Sequence, residues 1–173
     1  MVSVLTGCGK SDSDKVKDNS QVTQENHGRV EEETVETLVA KFNTEVVDNS
    51  SLNPASTDYL TESNNEYWYG LIEGIYLVAV PKKYTGDKAA DIVNYTLLYV
   101  NKTGEHESDV ASYVKHLIKA NNNQITDSEI DTLLKEAKTK PNSGEAANNG
   151  KGISVGYTEN EEKYQYQVLR LYK

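Results

Sequence analysis

The stretch Glu66-Tyr67-Trp68-Tyr69-Gly70-Leu71-Ile72-Glu73-Gly74-Ile75-Tyr76-Leu77-Val78-Ala79-Val80-Pro81 is the clearest structural signal in this chain. Residues 66–72 are dense in aromatics, and 75–80 form a short continuous apolar run closed by Pro81. Both have the length and the β-branched and aromatic content of strands. The polar turn Thr85-Gly86-Asp87-Lys88 separates them from a third strand-like segment over 91–101, and 58–62 is a weaker strand candidate. Strands in hairpin succession argue for an antiparallel sheet.

Helical periodicity brackets this block. Upstream, Val35, Leu38, Val39, Phe42 and Val46 recur at helical spacing and predict a helix of about 13 residues from Thr34. Glu31 to Glu33 place negative charge at its positive end, and 49–54 ends it in a loop. Downstream, Val110, Tyr113, Val114, Leu117 and Ile118 predict a second helix with Ser108 or Asp109 as N-cap, stopped by Asn121-Asn122-Asn123. Thr126-Asp127-Ser128-Glu129 then reads as a capping box, in which hydroxyl and carboxylate satisfy each other's orphan backbone donors. Ile130, Leu133, Leu134 and Ala137 form the buried stripe of that third helix, and Pro141 bars its continuation.

Residues 142–151 are rich in Asn and Gly and read as a flexible loop. The last two strands, 152–158 and 163–172, form a hairpin around Glu159-Asn160-Glu161-Glu162. The order α-β-β-β-α-α-β-β predicts an α+β fold: an antiparallel sheet of about 4–6 strands with about three helices packed mainly on one face. A parallel α/β fold would need helices alternating with strands.

At 173 residues the chain is about one domain long, yet only 36% of it is hydrophobic and its mean hydropathy is −0.68. Part of it is therefore expected to lie outside a packed core. Lys and Arg number 18 against 27 Asp and Glu, a net charge of −9 with a pI near 4.9. Such a surface repels phosphate backbones and anionic headgroups, which argues against nucleic-acid partners and basic-patch membrane docking. The single Cys forms no internal disulfide and leaves too few thiols for a zinc ribbon.

That single Cys sits in Leu5-Thr6-Gly7-Cys8, which resembles the lipobox of bacterial, Gram-positive-type lipoproteins. The resemblance implies that Cys8 is the lipidated residue and that the protein is held at the outer face of the cytoplasmic membrane. Residues 1–7 then read as the end of a signal peptide whose basic n-region and most of whose apolar stretch would lie upstream. Residues 9–33 hold only Val16, Val22 and Val30 as apolar side chains, with four basic against seven acidic residues. Residues 8–33 are accordingly read as the anchor Cys and a disordered polar tether, and 34–173 as a single α+β domain. A coil of about 25 residues spans roughly 25–30 Å, enough to hold that domain clear of the lipid surface. A diacylated Cys supplies the two chains that stable anchoring needs.

No cofactor or metal site emerges. Gly150-Lys151-Gly152 lacks the frame of a phosphate-binding loop and reads as a turn. Glu105-His106-Glu107-Ser108-Asp109 groups three carboxylates and an imidazole, without the spacing of a cation loop. His116 is the one histidine on an ordered helix, next to the core position Leu117, and is expected at the solvent boundary. The distinctive feature is 12 Tyr against one Trp and one Phe. Alternation places Tyr67, Tyr69 and Leu71 on one face of their strand, with Trp68 and Ile72 on the other. It also groups Val93, Tyr95, Leu97 and Tyr99, and, in the last strand, Tyr164, Tyr166, Val168 and Tyr172. Were these faces to coincide, the sheet would carry a tyrosine-lined surface suited to stacking a sugar, gripping a peptide or docking a protein; otherwise the rings cover the helices as core. Tyr67, Trp68 and Tyr69 are the candidate ligand contacts. The functional expectation is a membrane-anchored extracytoplasmic lipoprotein with a non-enzymatic binding domain for a protein, peptide or glycan. The alternatives are a small extracytoplasmic hydrolase acting on cell-wall or peptide substrate, with His116 or a carboxylate as base, and a structural subunit of a surface complex.

Overall fold

The computed structural model describes residues 29–56, 58, 63–102, 106–148 and 150–172. Cys8, the lipobox and residues 9–28 of the tether lie outside the described residues, as does most of the weak strand candidate at 58–62. The elements in chain order are α1 (Val35–Asn49), a 3₁₀ turn (Ser63–Asn65), β1 (Tyr67–Ile72), β2 (Ile75–Pro81), β3 (Val93–Asn101), α2 (Glu107–Asn121), α3 (Asp127–Thr139), β4 (Ala147–Asn148), β5 (Ile153–Glu159) and β6 (Lys163–Arg170). The strands form one antiparallel sheet in the order β1-β2-β3-β6-β5-β4. The class is α+β, as the element order predicts. The short β4 lies in the segment expected to be a flexible loop.

Local chemistry sets the helices. Thr34 caps α1, its hydroxyl accepting from the Thr37 amide at 3.2 Å. The capping box of α3 forms in full: the Thr126 hydroxyl accepts from the Glu129 amide, and the Glu129 carboxylate accepts from the Thr126 amide at 2.8 Å. The α2 terminus differs from expectation. Its N-cap is His106, which makes no side-chain capping bond, so the helix starts two residues earlier than a Ser108 cap would place it.

All three helices pack on one side of the sheet, α1 against α2 and β2, α2 against β3 and β6, and α3 against β4 and β5. Phe42 of α1 stacks on Tyr113 of α2 at 6.3 Å between ring centres, and the Tyr113 hydroxyl donates to the Asn53 carbonyl. The core beneath them takes Tyr67, Tyr69, Leu77, Leu98, Val155 and Val168 from the sheet.

The folded unit begins before residue 34. Val30 bridges Tyr172 in parallel, its amide donating to the Leu171 carbonyl at 2.8 Å, and the Val93 amide donates to the Glu33 carbonyl at 2.9 Å. Residues 29–33 therefore belong to the domain and not to a tether. Glu33 serves the fold more than the helix dipole: it is buried, 3.1 Å from Arg170 and 2.7 Å from Lys41.

Asp91 ties the loop after β2 to the sheet. Its carboxylate is buried and accepts from the Tyr67 hydroxyl at 2.7 Å, the Thr85 amide at 2.9 Å and the Thr85 hydroxyl at 2.5 Å. Burial raises the carboxyl pKa, but these bonds and one from the Gly86 amide outweigh it and hold the group below the usual aspartate value.

Candidate functional site

A strand has two faces, and here only one of them is covered by helices. Register identifies the other. Trp68, Val78 and Leu97 stand side by side across β1, β2 and β3, and Tyr76 faces Tyr99 in the neighbouring row. None of these five belongs to the core cluster beneath the helices. The rings of Trp68, Tyr76 and Tyr99 form a closed triangle, with centroids 5.9, 5.3 and 6.3 Å apart and planes inclined by about 60°. Edge-to-face contact of this kind adds about 0.5–1.5 kcal/mol per pair beyond area burial. Beside the triangle Val78 and Leu97 are 0% and 9% exposed, although no helix among the described residues lies on this side.

Towards β6 and β5 the same face turns mostly polar, with Leu169 beside Tyr95 as a half-buried aliphatic side chain. Gln165 pairs with Tyr99 and Gln167 with Leu97, and Thr158 and Gly156 follow in the next strand. Neither glutamine side chain has a hydrogen-bond partner among the described residues. Charge stands only at the ends: Glu66 accepts from the Trp68 indole at 3.0 Å, and the Lys163 ammonium lies 5.1 Å from the centre of the Tyr99 ring. Tyr95, across from Val80, has its phenol pKa raised by burial and by the Glu66 charge, so it stays neutral at physiological pH. The centre of the face carries no formal charge.

Of the three contact candidates in the sequence, Trp68 alone lies on this face. Tyr67 and Tyr69 are buried under the helices, where the Tyr67 hydroxyl serves Asp91. The tyrosine faces do not coincide either. Tyr76, Tyr95 and Tyr99 are on the open side, whereas Tyr157, Tyr164 and Tyr166 cluster on the helix side with centroids 5.0–6.2 Å apart. Two register shifts explain the remaining departures from strict alternation. An irregularity at Gly70/Ile72 lets Ile72 pack against the core, and a bulge opposite Val80/Pro81 turns Val93 inward, away from Tyr95. Tyr76, Gln165 and Gln167 were not singled out in the sequence; the only signal for them was their alternation with buried neighbours.

His116 is not at the solvent boundary. It is 8% exposed between α1 and α2, its Nδ1 has no hydrogen-bond partner, and the nearest carboxylate oxygen, of Glu45, is 4.0 Å away. Desolvation lowers its pKa below the usual 6.5 despite Glu45, with Lys119 lowering it further and Asp127 opposing. His106 and Asp109 are 3.6 Å apart, while Glu105 lies outside the described residues. Among the described residues no three His, Cys, Asp or Glu side chains are placed to hold a metal ion. A groove of about 900 Å³ runs between α1, the end of α2 and residues 29–33, but its main charges are already engaged: Lys41 and Arg170 with Glu33, and Arg170 with Asn121 at 2.7 Å. That groove is a polar seam that joins the N-terminal segment to the sheet.

No protein-family model matches this sequence, and neither the curated proteins nor the solved structures show a match to it.

Proposed function

We propose that this protein is an extracytoplasmic lipoprotein, anchored through acylated Cys8 at the outer face of the cytoplasmic membrane, whose domain is a binding module that presents the helix-free face of its sheet. The observation that carries the binding half is the uncharged aromatic triangle Trp68–Tyr76–Tyr99 on that face. The solvent side of an antiparallel sheet ordinarily alternates to polar residues; here β1 to β3 carry Trp, Tyr, Val and Leu there instead. The support for anchoring is the Leu5-Thr6-Gly7-Cys8 motif. No described helix is long and apolar enough to cross a membrane.

The hydrolase reading has weaker support. A general base works through partners at about 2.6–3.2 Å, and buried His116 lies 4.0 Å from its nearest carboxylate.

Two experiments test the two halves. Expressed in a bacterial host behind a complete lipoprotein signal, the protein should label with palmitate and partition into detergent, and Cys8→Ala should lose both. Unlabelled, aqueous wild type overturns the anchor. For the surface, the photoreactive p-benzoylphenylalanine is placed either at position 76 or at position 47, where Val47 is 60% exposed on α1. A cross-linked adduct in cells from position 76 and not from 47 supports the open face as the contact surface. No adduct at 76 removes that reading.

A further inference from the structure

We infer that the Trp68–Tyr76–Tyr99 cluster, together with the Gln165 and Gln167 amides, is a subsite for a neutral oligosaccharide. This deepens the reading of the helix-free face as a contact surface and rests on it. Three observations select the ligand class. The first is charge: the chain carries −9, yet among the described residues the centre of this face has no ionised side chain, and its charges are Glu66 and Lys163 at the two ends. An anionic ligand would be repelled by the molecule as a whole, and a cationic one would find no counter-charge in the centre.

The second is the form of the apolar surface. Val78 and Leu97 are already covered, so at the triangle itself a ligand meets aromatic rings; the half-buried aliphatic side chains of this face, Val80 and Leu169, stand further along it beside Tyr95. The electron-rich ring faces attract polarised C–H groups, which the flat side of a pyranose presents in a row.

The third is the polar complement. Gln165 and Gln167 flank the rings in register, and each amide has both donors and an acceptor free among the described residues. Vicinal sugar hydroxyls match such a pair. An extended peptide would need main-chain partners; the backbone N–H and C=O groups of β2, β3 and β6 are spent within the sheet, which leaves only the outer edge of β1 for such pairing beside the rings.

Trp68 is the only tryptophan in the chain, so its fluorescence reports on the subsite directly. The probes are cellotetraose, maltotetraose and N-acetylchitotetraose, with tetragalacturonate as the anionic control. At least one neutral probe should shift Trp68 emission saturably at micromolar to millimolar concentration, and the anionic control should leave it unmoved. Gln167→Ala, whose side chain supports no other group of the fold, should weaken that binding about fivefold, the worth of one hydrogen bond, at unchanged thermal midpoint. If no neutral probe moves the emission while the position 76 adduct proves to be protein, the glycan assignment falls and the surface reading stands. If no adduct forms either, both fall. A Trp68 shift that follows protein concentration without sugar, accompanied by a doubling of mass, assigns the face to a second copy and overturns the inference.

Discussion

The guanidinium of Arg170 lies 3.1 Å from the carboxylate of Glu33, and the two side chains are only 3% and 5% exposed. They close the N-terminal segment onto the end of β6, and Arg170 also donates to the Asn121 side chain at 2.7 Å and the Glu31 carbonyl at 3.1 Å. Removing one partner of a buried pair leaves an uncompensated charge and typically costs about 3–5 kcal/mol. Glu33→Gln and Arg170→Met should each lower the unfolding free energy from urea titration by that order. A chain that starts at residue 34 should lose comparable stability. If the shortened chain were as stable as the full one, residues 29–33 would be no part of the domain.

Asp91 makes a second prediction. Asp91→Asn keeps the shape but weakens three charge-assisted bonds, and should cost about 2–3 kcal/mol; Tyr67→Phe removes one of them and should cost less. The folded carboxyl sits below its unfolded value of 3.8. Its contribution is therefore complete above that value and is lost as pH falls through the lower folded value. Asp91→Asn should flatten this part of the acid limb in urea titrations at a series of pH values.

His116 has the opposite charge type and the same direction of shift. Its pKa is lowered, so unfolded chains bind a proton more readily than folded ones below pH 6.5. The neutral, buried ring contributes fully above that value, and the contribution declines as pH falls towards the lower folded pKa. NMR titration of the ring protons should give a midpoint below 6.5. His116→Phe should reduce the loss of stability in that window. A midpoint above 6.5 would mean that the Glu45 and Asp127 carboxylates dominate over burial.

Gly152 is required for the approach of the N-terminal segment. It has φ = +77°, and a Cβ built there would lie 2.8 Å from the Arg29 Cα. Gly150 has nearly the same φ, +76°, with nothing within 4 Å. Gly150→Ala should therefore cost only the left-handed penalty of about 1–2 kcal/mol. Gly152→Ala should cost clearly more, because backbone must move. Equal shifts in thermal midpoint for the two would contradict the packing of Arg29 and Val30 on this turn.

The two faces of β1 and β2 are separated by one pair of substitutions. Tyr69→Ala empties a core position under the helices and should cost about 3–5 kcal/mol. Tyr76→Ala removes a half-buried ring from the open side and should cost less, about 1–2 kcal/mol. Chemical denaturation of both variants checks this, and the reverse ranking would exchange the faces.

Much of the architecture is readable along the chain because its causes are local. The stripe from Val110 to Ile118, the Thr126–Glu129 box and the hairpin succession from Tyr67 to Asn101 each depend on residues a few positions apart. The site was only partly legible for a physical reason. Alternation divides each strand into two sets, but it does not say which set the helices cover. It also fails wherever a bulge adds a residue, as at Ile72 and Val93. The Tyr67-Trp68-Tyr69 run shows the consequence: its aromatic density was plain, yet two of the three rings are core.

The α+β class, the helix stripes and caps, the negative charge and the lipobox resemblance at Cys8 all follow from composition or short spacing. It takes the three-dimensional packing to show that Trp68 joins Tyr76 and Tyr99 while Tyr69 is buried, that Glu33 meets Arg170, and that His116 is buried. Each of these joins residues brought together by register or helix docking, and such long-range contacts leave no periodic trace in a single chain.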